Sequence, residues 1–380
     1  MVALGNDAQV AALDDSLDSG ALGCFALTEK LAGVNSGMVV NTTMDWDADA
    51  QEFILTTPDE GAHKNWISQG YTADKALVVA DLRVDGTSCG PHGFIMDLRT
   101  GGELVDGVSL GDMGVKTTGN DLDNAWIAFD NVRLPKSALL NRYSDVVEDK
   151  FVQKQAGVTA MAMIGQRLFT GRIAVAQAAL AFRKELFKRT KAYADNKKTW
   201  APKGEPVLSG IPQLKALFEE ADATAGEIEA FVGQCEAELA VCLREDVIPP
   251  TELTDAIAVC KVQAVEASID LCFRLKQEVG SFALMAESGF AHQDFLQCCK
   301  FAEGDSRILM QKFARDQMRS FAKGNPLQAE EQALCEELAG LMGKDMEASG
   351  ANKMEAWDNQ WEKVYELARA TMKRIVADRT

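Results

Sequence analysis

The amino-acid sequence predicts an α+β protein, in which an antiparallel β-barrel or sandwich domain is followed by an all-α helical bundle. Short β-prone runs, separated by Gly, Asp, Asn and Pro, fill the chain to about residue 141. Their spacing leaves no room for crossover helices, so the sheet should be mainly antiparallel. From Tyr143 onward, long helical periods replace the strand signal. We therefore predict the end of a helix and a loop at 1–20, a β domain at 21–142 and a helical domain at 143–380.

The β domain is predicted from runs of β-branched, aromatic and other apolar residues bounded by turn formers. Residues 1–20 read as the end of a helix and a loop. The runs that follow include Glu52–Leu55, Ala76–Ala80, Phe94–Met96 and Ala125–Phe129.

The helical domain is predicted from apolar residues at helical spacing. The expected helices lie at 152–196, from 212 to before 247, at 251–285, after Glu303, and as a pair beyond Pro326. In the last pair Trp357, Trp361 and Tyr365 follow one another at i, i+4 and i+8, an aromatic stripe that favours core or subunit contact over a stacking site.

Composition narrows the classes of function. The formal net charge of −18 and the lack of a basic stripe predict no nucleic-acid partner. Three scattered histidines and nine cysteines without ligand spacing predict no metal site and reduced thiols, as in an intracellular protein. No apolar run reaches about 18 residues, and the first 20 residues lack the blocks of a signal peptide, so we expect a soluble protein without a transmembrane segment.

A carboxylate followed by glycine opens the predicted helix after residue 303. Asp305 and Ser306 are the expected capping groups, and backbone N–H groups at such a helix start favour a nearby oxyanion. Glu303, held beside them, could serve as a general base. The alternative is that this acidic residue only interacts favourably with the helix dipole.

Two segments of the β domain could contact a ligand. The run from Gly23 to Glu29 leads from a strand into a turn that contains Gly33, Asn35 and Gly37, where backbone could approach a phosphate or a ring. In the second segment, Trp66 and Ser68 should point to one face of a strand, which suits a flat heteroaromatic ring. A core Trp beside a solvated Ser is the alternative.

Taken in order, these motifs resemble those of the acyl-CoA oxidase and acyl-CoA dehydrogenase family, in its oxidase branch. Gly23–Glu29 is similar to the strand end that contacts flavin in the family, and Trp66–Ser68 to its Trp-Ile-Thr/Ser segment. The runs 107–114, 129–135 and 139–142 resemble the junction between the β and helical domains. Phe301–Asp305 looks like the segment that carries the catalytic base.

The resemblance implies α,β-dehydrogenation of a fatty acyl-CoA thioester, with FAD as cofactor and oxygen as the electron acceptor. Glu303 would remove the α-proton, and its own backbone N–H could polarise the thioester carbonyl. The FAD contacts that the resemblance implies are Phe25, Leu27, Thr28, Gly33, Asn35, Trp66, Ile67, Ser68, Lys198, Trp200 and Asp305.

The sequence departs from the family pattern mainly at the cofactor contacts. Lys198-Thr199-Trp200-Ala201 stands where the family has Arg-Gln-Phe-Gly, and Ala286-Glu287 replaces a glycine pair. Only about twenty residues precede the first motif. The resemblance therefore implies that 1–20 is a remnant of the N-terminal helical region, and we expect the rest of that domain to be absent from this chain or supplied by another. A second hypothesis therefore remains open, that of a catalytically inactive member acting as a structural or assembly subunit of a larger complex. A homo-oligomer is also expected, and a peroxisome, a mitochondrion or a plastid is compatible with the resemblance.

Overall fold

The computed structural model describes residues 2–34, 36, 38–158, 160–202 and 204–379. The chain divides into two compact units, Met1–Arg167 and Leu168–Thr380. The elements of the first unit are α1 (Asp7–Asp18), β1 (Gly23–Ala26), β2 (Thr43–Asp47), β3 (Glu52–Thr56), β4 (Lys64–Ser68), β5 (Lys75–Val84), β6 (Thr87–Asp97), β7 (Arg99–Thr100), β8 (Glu103–Leu104), β9 (Val108–Asp112), β10 (Asn124–Phe129), β11 (Val132–Pro135), β12 (Ser144–Val147) and β13 (Lys150–Gln153).

The first unit is built on two sheets that are mostly antiparallel, as predicted. In the larger sheet, β5 has β6 along one edge and both β1 and β2 along the other. Strands β3 and β11 follow β2 in the sheet. Strands β1 and β2 run parallel to β5 and share one of its edges, where β1 lies beside 75–78 and β2 beside 81–83. The smaller sheet, β4-β10-β9, is antiparallel.

Alternation of buried and exposed residues along the strands produces one core between the two sheets. Phe53 and Phe94 of the larger sheet meet edge to face at 5.3 Å between ring centroids. Ile67 and Ile127 of the smaller sheet belong to the same cluster. This arrangement confirms the predicted β domain in its sandwich form.

The second half of the chain is helical, as predicted. Its helices are α2 (Ala160–Ala194), α3 (Pro212–Arg244), α4 (Thr251–Glu278), α5 (Phe295–Phe301), α6 (Ser306–Ala322), α7 (Ala329–Ser349), α8 (Lys353–Asn359) and α9 (Trp361–Ala377). Helix α4 is apolar on several faces, with consecutive residues such as Ile257, Ala258 and Val259 all buried, which identifies it as a central helix of the bundle. None of the helices in the described ranges combines the length and apolarity of a membrane crossing.

Three helix predictions need correction. The first long helix begins at Ala160 and not near 152, because 150–153 forms a hairpin strand with β12. The third ends at Glu278 and not at 285, since Gly280 has φ +62°, a conformation that a helix cannot continue. The final helical region is broken once more, at Gln360, so Trp357 and Trp361 lie on different helices and the predicted stripe is interrupted.

Candidate active site

The strand end at 25–28 lies beside β4 in the first unit. Glu29 and Lys64 form an isolated antiparallel bridge, and the backbone N–H of Asn65 donates to the Thr28 carbonyl at 2.8 Å. The two β-domain segments predicted to contact the cofactor, 25–28 and 66–68, are therefore brought together by main-chain pairing.

A buried ion pair joins the same two segments. The Lys64 ammonium donates to Glu29 Oε1 at 2.9 Å, to the Leu27 carbonyl at 3.2 Å and to the Val79 carbonyl at 2.6 Å, and both charged side chains have no exposed surface. Burial lowers the pKa of Lys64 to about 8, and the charge of Glu29 opposes that shift. The Glu29 carboxylate also accepts from the backbone N–H groups of Asn41 and Thr42. Each charge is thus satisfied by hydrogen bonds, and the ion pair holds the segment that follows β1 in place beside β4.

Trp66 sits on a β-bulge. The register between β4 and β10 shifts at this point, because Ile67 pairs with Ala125 while Lys64 pairs with Ile127. Trp66 accordingly has φ +59°, and its side chain is 56% exposed. The alternative of a core Trp is therefore wrong.

The side chains around this bulge alternate between solvent and core. Ser68 is exposed like Trp66, and Asn124 Nδ2 donates weakly to its hydroxyl at 3.4 Å. Ile67 points into the core at 3% exposure, so only its backbone faces the same side as the Trp and Ser. An exposed indole beside a hydroxyl is a suitable surface for a flat heteroaromatic ring.

The remaining residues predicted for this segment have different surroundings. Phe25 and Leu27 are half-buried and pack against a small apolar cluster that includes Leu4. Thr28 and Gly33 are exposed. Asn35 lies outside the described residues.

In the second unit, Glu303 lies in a left-handed turn between α5 and α6. Glu303 has φ +57° and Gly304 has φ +97°. The side chain of Asp305 caps α6 by accepting from the Arg307 N–H at 2.6 Å, as predicted. Ser306 is the first residue of the helix and not a cap, and its hydroxyl donates to the Lys300 carbonyl. A non-glycine residue in this conformation is strained, and such strain is frequent at functional sites.

Two neighbouring residues of α2 fix the Glu303 backbone and carboxylate. Arg172 Nε donates to the Glu303 carbonyl at 3.0 Å. Burial lowers the pKa of Arg172 to about 10, against the opposing charges of Glu303 and Asp255. A Cβ added at Gly171 would lie 2.2 Å from Glu303 Cδ and 2.5 Å from either carboxylate oxygen. The Glu303 carboxylate therefore lies directly against the Gly171 backbone, in space that only glycine leaves open.

Lys198 and Trp200 lie elsewhere in the second unit, on the connection between α2 and α3. Lys198 forms an isolated bridge with Val207, and the Trp200 side chain is 82% exposed. Glu287, which the resemblance places at a glycine position, is exposed on a short 3-10 turn before Gly289 at φ +90°.

Sequence reasoning missed Lys64 with Glu29, Gly171 with Arg172, and Lys261. Lys261 carried the clearest signal, since it is a lysine in the middle of the mostly apolar run from Ala256 to Val265. A charged residue there predicts a buried ammonium with dedicated acceptors. Glu29 lies far from Lys64 in the chain, and Gly171 and Arg172 lie far from Glu303, so these contacts leave no local pattern.

No family model matches the chain. It is 29% identical over 330 residues to acyl-coenzyme A oxidase 2 of Yarrowia lipolytica, covering 80% of this chain and 46% of the relative. It is 36% identical over 217 residues to the human peroxisomal acyl-coenzyme A oxidase 3, covering 52% of this chain and 30% of the relative. The chain thus spans half or less of the length of these two relatives.

Solved structures of similar fold cover 99% of this chain. One is acyl-CoA oxidase-2 of Caenorhabditis elegans, bound with FAD, ascaroside-CoA and ATP, with a TM-score of 0.82, 19% identity and 62% of that chain covered. Another is the tomato acyl-CoA oxidase LeACX1, with a TM-score of 0.79, 21% identity and 64% covered. At these identities the likeness establishes the fold.

The sheet domain followed by a helical bundle is therefore the acyl-CoA dehydrogenase-like fold, as predicted. Within that class, the chain is related in sequence and in fold to the acyl-CoA oxidases, which confirms the predicted resemblance. The second hypothesis, an inactive structural subunit, is not supported by relatives named as oxidases or as oxidase-like.

Proposed function

We propose that this chain takes part in the α,β-dehydrogenation of a fatty acyl-CoA thioester, with FAD as cofactor and oxygen as electron acceptor. The observation that carries the proposal is the Glu303 turn, in which a strained backbone and the open space at Gly171 hold one carboxylate in a defined place. Relatives named as acyl-CoA oxidases support the substrate class and the acceptor.

Glu303 is the proposed general base. Its carboxylate takes the proton from the carbon next to the thioester carbonyl, and the carbon–carbon double bond forms as a hydride leaves the β-carbon. FAD, when bound, would supply the hydride acceptor and the route of electrons to oxygen. Arg172 holds the Glu303 carbonyl, so the carboxylate reaches its proton from a fixed backbone.

The residues of the first unit suit a flat ring such as that of FAD. Trp66 offers an exposed indole, and Ser68 and Thr28 offer exposed hydroxyls. We propose that these three side chains, with the backbone of Ile67 and the edges of Phe25 and Leu27, hold the ring system. Contacts at Gly33, Asn35, Lys198, Trp200 and Asp305 remain predictions.

The first test is the visible absorption spectrum of the purified protein after addition of FAD and a long-chain acyl-CoA. We expect a bound flavin band that bleaches without oxygen when the acyl-CoA is added and returns when air is admitted. A protein that stays colourless with excess FAD would contradict the proposal and favour the hypothesis of a catalytically inactive structural subunit.

Replacing Gly171 tests the position of the Glu303 carboxylate. In Gly171→Ala the new methyl group must displace the carboxylate, which is the movable end of its side chain. We expect the bleaching rate to fall about 100-fold, the effect of misplacing a catalytic group by about 1 Å. The free energy of unfolding should stay the same or rise, because alanine favours a helix interior over glycine by roughly 0.5–1 kcal/mol.

The matched control is Gly233→Ala, at a glycine of α3 with open space around its Cβ. It should keep the wild-type bleaching rate. A Gly171→Ala protein as fast as wild type would mean that the carboxylate position seen here is not the working one.

We further propose a peroxisomal location, because relatives from human and Arabidopsis thaliana are named as peroxisomal. The expected homo-oligomer or larger complex stays a prediction. Fluorescence microscopy of the tagged full chain, with a peroxisomal marker, tests the location.

A further inference from the structure

Lys261 is buried in α4 at 0% exposure, and its neighbours Val259, Cys260 and Val262 are buried apolar residues. Its ammonium donates to the Lys300 carbonyl at 2.5 Å, to the Gly304 carbonyl at 2.9 Å and to Ser306 Oγ at 3.1 Å. A lysine has three N–H donors, so these three bonds satisfy the group completely. All three acceptors belong to the short stretch that contains Glu303.

The three acceptors lie on both sides of Glu303. The Lys300 carbonyl is near the end of α5, and the Gly304 carbonyl and the Ser306 hydroxyl follow Glu303 at the start of α6. One ammonium therefore closes the turn from both ends, while Arg172 holds the carbonyl of Glu303 itself. Left-handed backbone at a glutamate persists only where surrounding groups hold it, and these two cations are such groups.

A buried charge at this place is expensive compared with an apolar residue. Burial lowers the pKa of Lys261 to about 8, with Asp305 as the main opposing charge. An apolar residue at the same helix position would avoid the cost of burying a charge, and well-packed apolar residues often replace buried ion pairs without loss of stability. Stability of the helix alone therefore does not account for a lysine.

We propose that Lys261 is a positioning residue for Glu303, because its ammonium holds the left-handed turn that places the carboxylate against Gly171. The inference rests on the proposed function for its catalytic consequence. The structural consequence, an ordered turn at 300–306, is independent of catalysis and can be measured alone.

The experiment compares wild type with Lys261→Met, which keeps most of the length of the side chain and removes the charge and the donors. Hydrogen exchange, followed by mass spectrometry, is measured on peptides that cover 296–309. We expect exchange in this turn to speed up about ten- to a hundredfold, as for loss of hydrogen bonds to a charged group. Peptides of the first unit should exchange as in wild type.

The kinetic readout separates positioning from general destabilisation. In Lys261→Met we expect kcat to fall about 100-fold with little change in KM, and FAD affinity to stay as in wild type. Lys215→Met, at an exposed lysine of α3, is the matched control and should change neither readout.

Lys261→Gln, which keeps an N–H donor without the charge, serves as the second variant if Lys261→Met does not fold, with the same expected directions. Unchanged exchange at 296–309 in a folded variant would overturn the inference. If wild type shows no flavin bleaching, the proposed function fails while the exchange experiment still decides the place of Lys261 in the turn. A variant with faster hydrogen exchange but the wild-type kcat would mean that Lys261 only stabilises the fold, and this result would also overturn the inference.

Discussion

Glu303→Gln is expected to bind FAD and acyl-CoA but to show far slower bleaching of the flavin band by substrate than wild type. Glutamine keeps the size of the side chain, so the turn at 303–304 and the contact with Gly171 should survive. Without a carboxylate there is no group at this position to accept the α-proton, and loss of a general base lowers the rate roughly 10²- to 10⁴-fold. Stopped-flow absorbance without oxygen measures the rate directly.

Glu227→Gln is the matched control, because Glu227 is an exposed glutamate of α3. It should bleach at the wild-type rate. Bleaching of Glu303→Gln at a rate close to wild type would remove Glu303 from the mechanism and direct attention to another base.

The largest effect on stability is expected for Lys64→Met. The change leaves the Glu29 carboxylate buried without its cation, and breaking a buried ion pair from one side lowers the free energy of unfolding by about 3–5 kcal/mol. The loss in the free energy of unfolding should lie near the lower end of this range. Glu29 keeps its hydrogen bonds from the backbone N–H groups of Asn41 and Thr42 and from the Thr42 hydroxyl. Urea unfolding followed by tryptophan fluorescence measures it.

Two comparisons make this result specific. The double variant Lys64→Met with Glu29→Gln should recover part of the loss, since the uncompensated charge is removed. Lys75→Met breaks a more exposed pair with Asp97 and should change the free energy of unfolding by no more than about 1 kcal/mol. Equal losses in Lys64→Met and Lys75→Met would contradict the assignment of the buried pair as a main support of the strand end.

The fold could be predicted because most of its strands and helices have a local pattern of apolar residues in the sequence. Alternating apolar residues indicated the strands around Phe53 and Phe94, and helical periods indicated α3, α4 and α6. The hairpin of β12 and β13 was missed because its turn lacks the usual sequence signal. Its two turn residues, Glu148 and Asp149, have positive φ angles of 48° and 59°, which are normally adopted by Asn-Gly.

The candidate site was predictable only in part. Glu303 and Asp305 could be found because a helix start has a local signature, and both lie in or next to the turn where the sequence placed them. The bulge at Trp66 could not be found, since a shift of register depends on the partner strand and not on the residues of β4 alone. Contacts of Lys64 with Glu29 and of Lys261 with Gly304 join distant parts of the chain, so their partners become known only from the folded structure.

The shared edge of β5 has a further consequence. Strand β1 covers 75–78 and β2 covers 81–83, which leaves the carbonyl of Val79 between them without a strand partner on that side. The Lys64 ammonium donates to this carbonyl at 2.6 Å, so a side chain satisfies the backbone acceptor at the step between the end of β1 and the start of β2. The alignment of β1 and β2 along this edge therefore depends on a side chain at the step as well as on main-chain pairing.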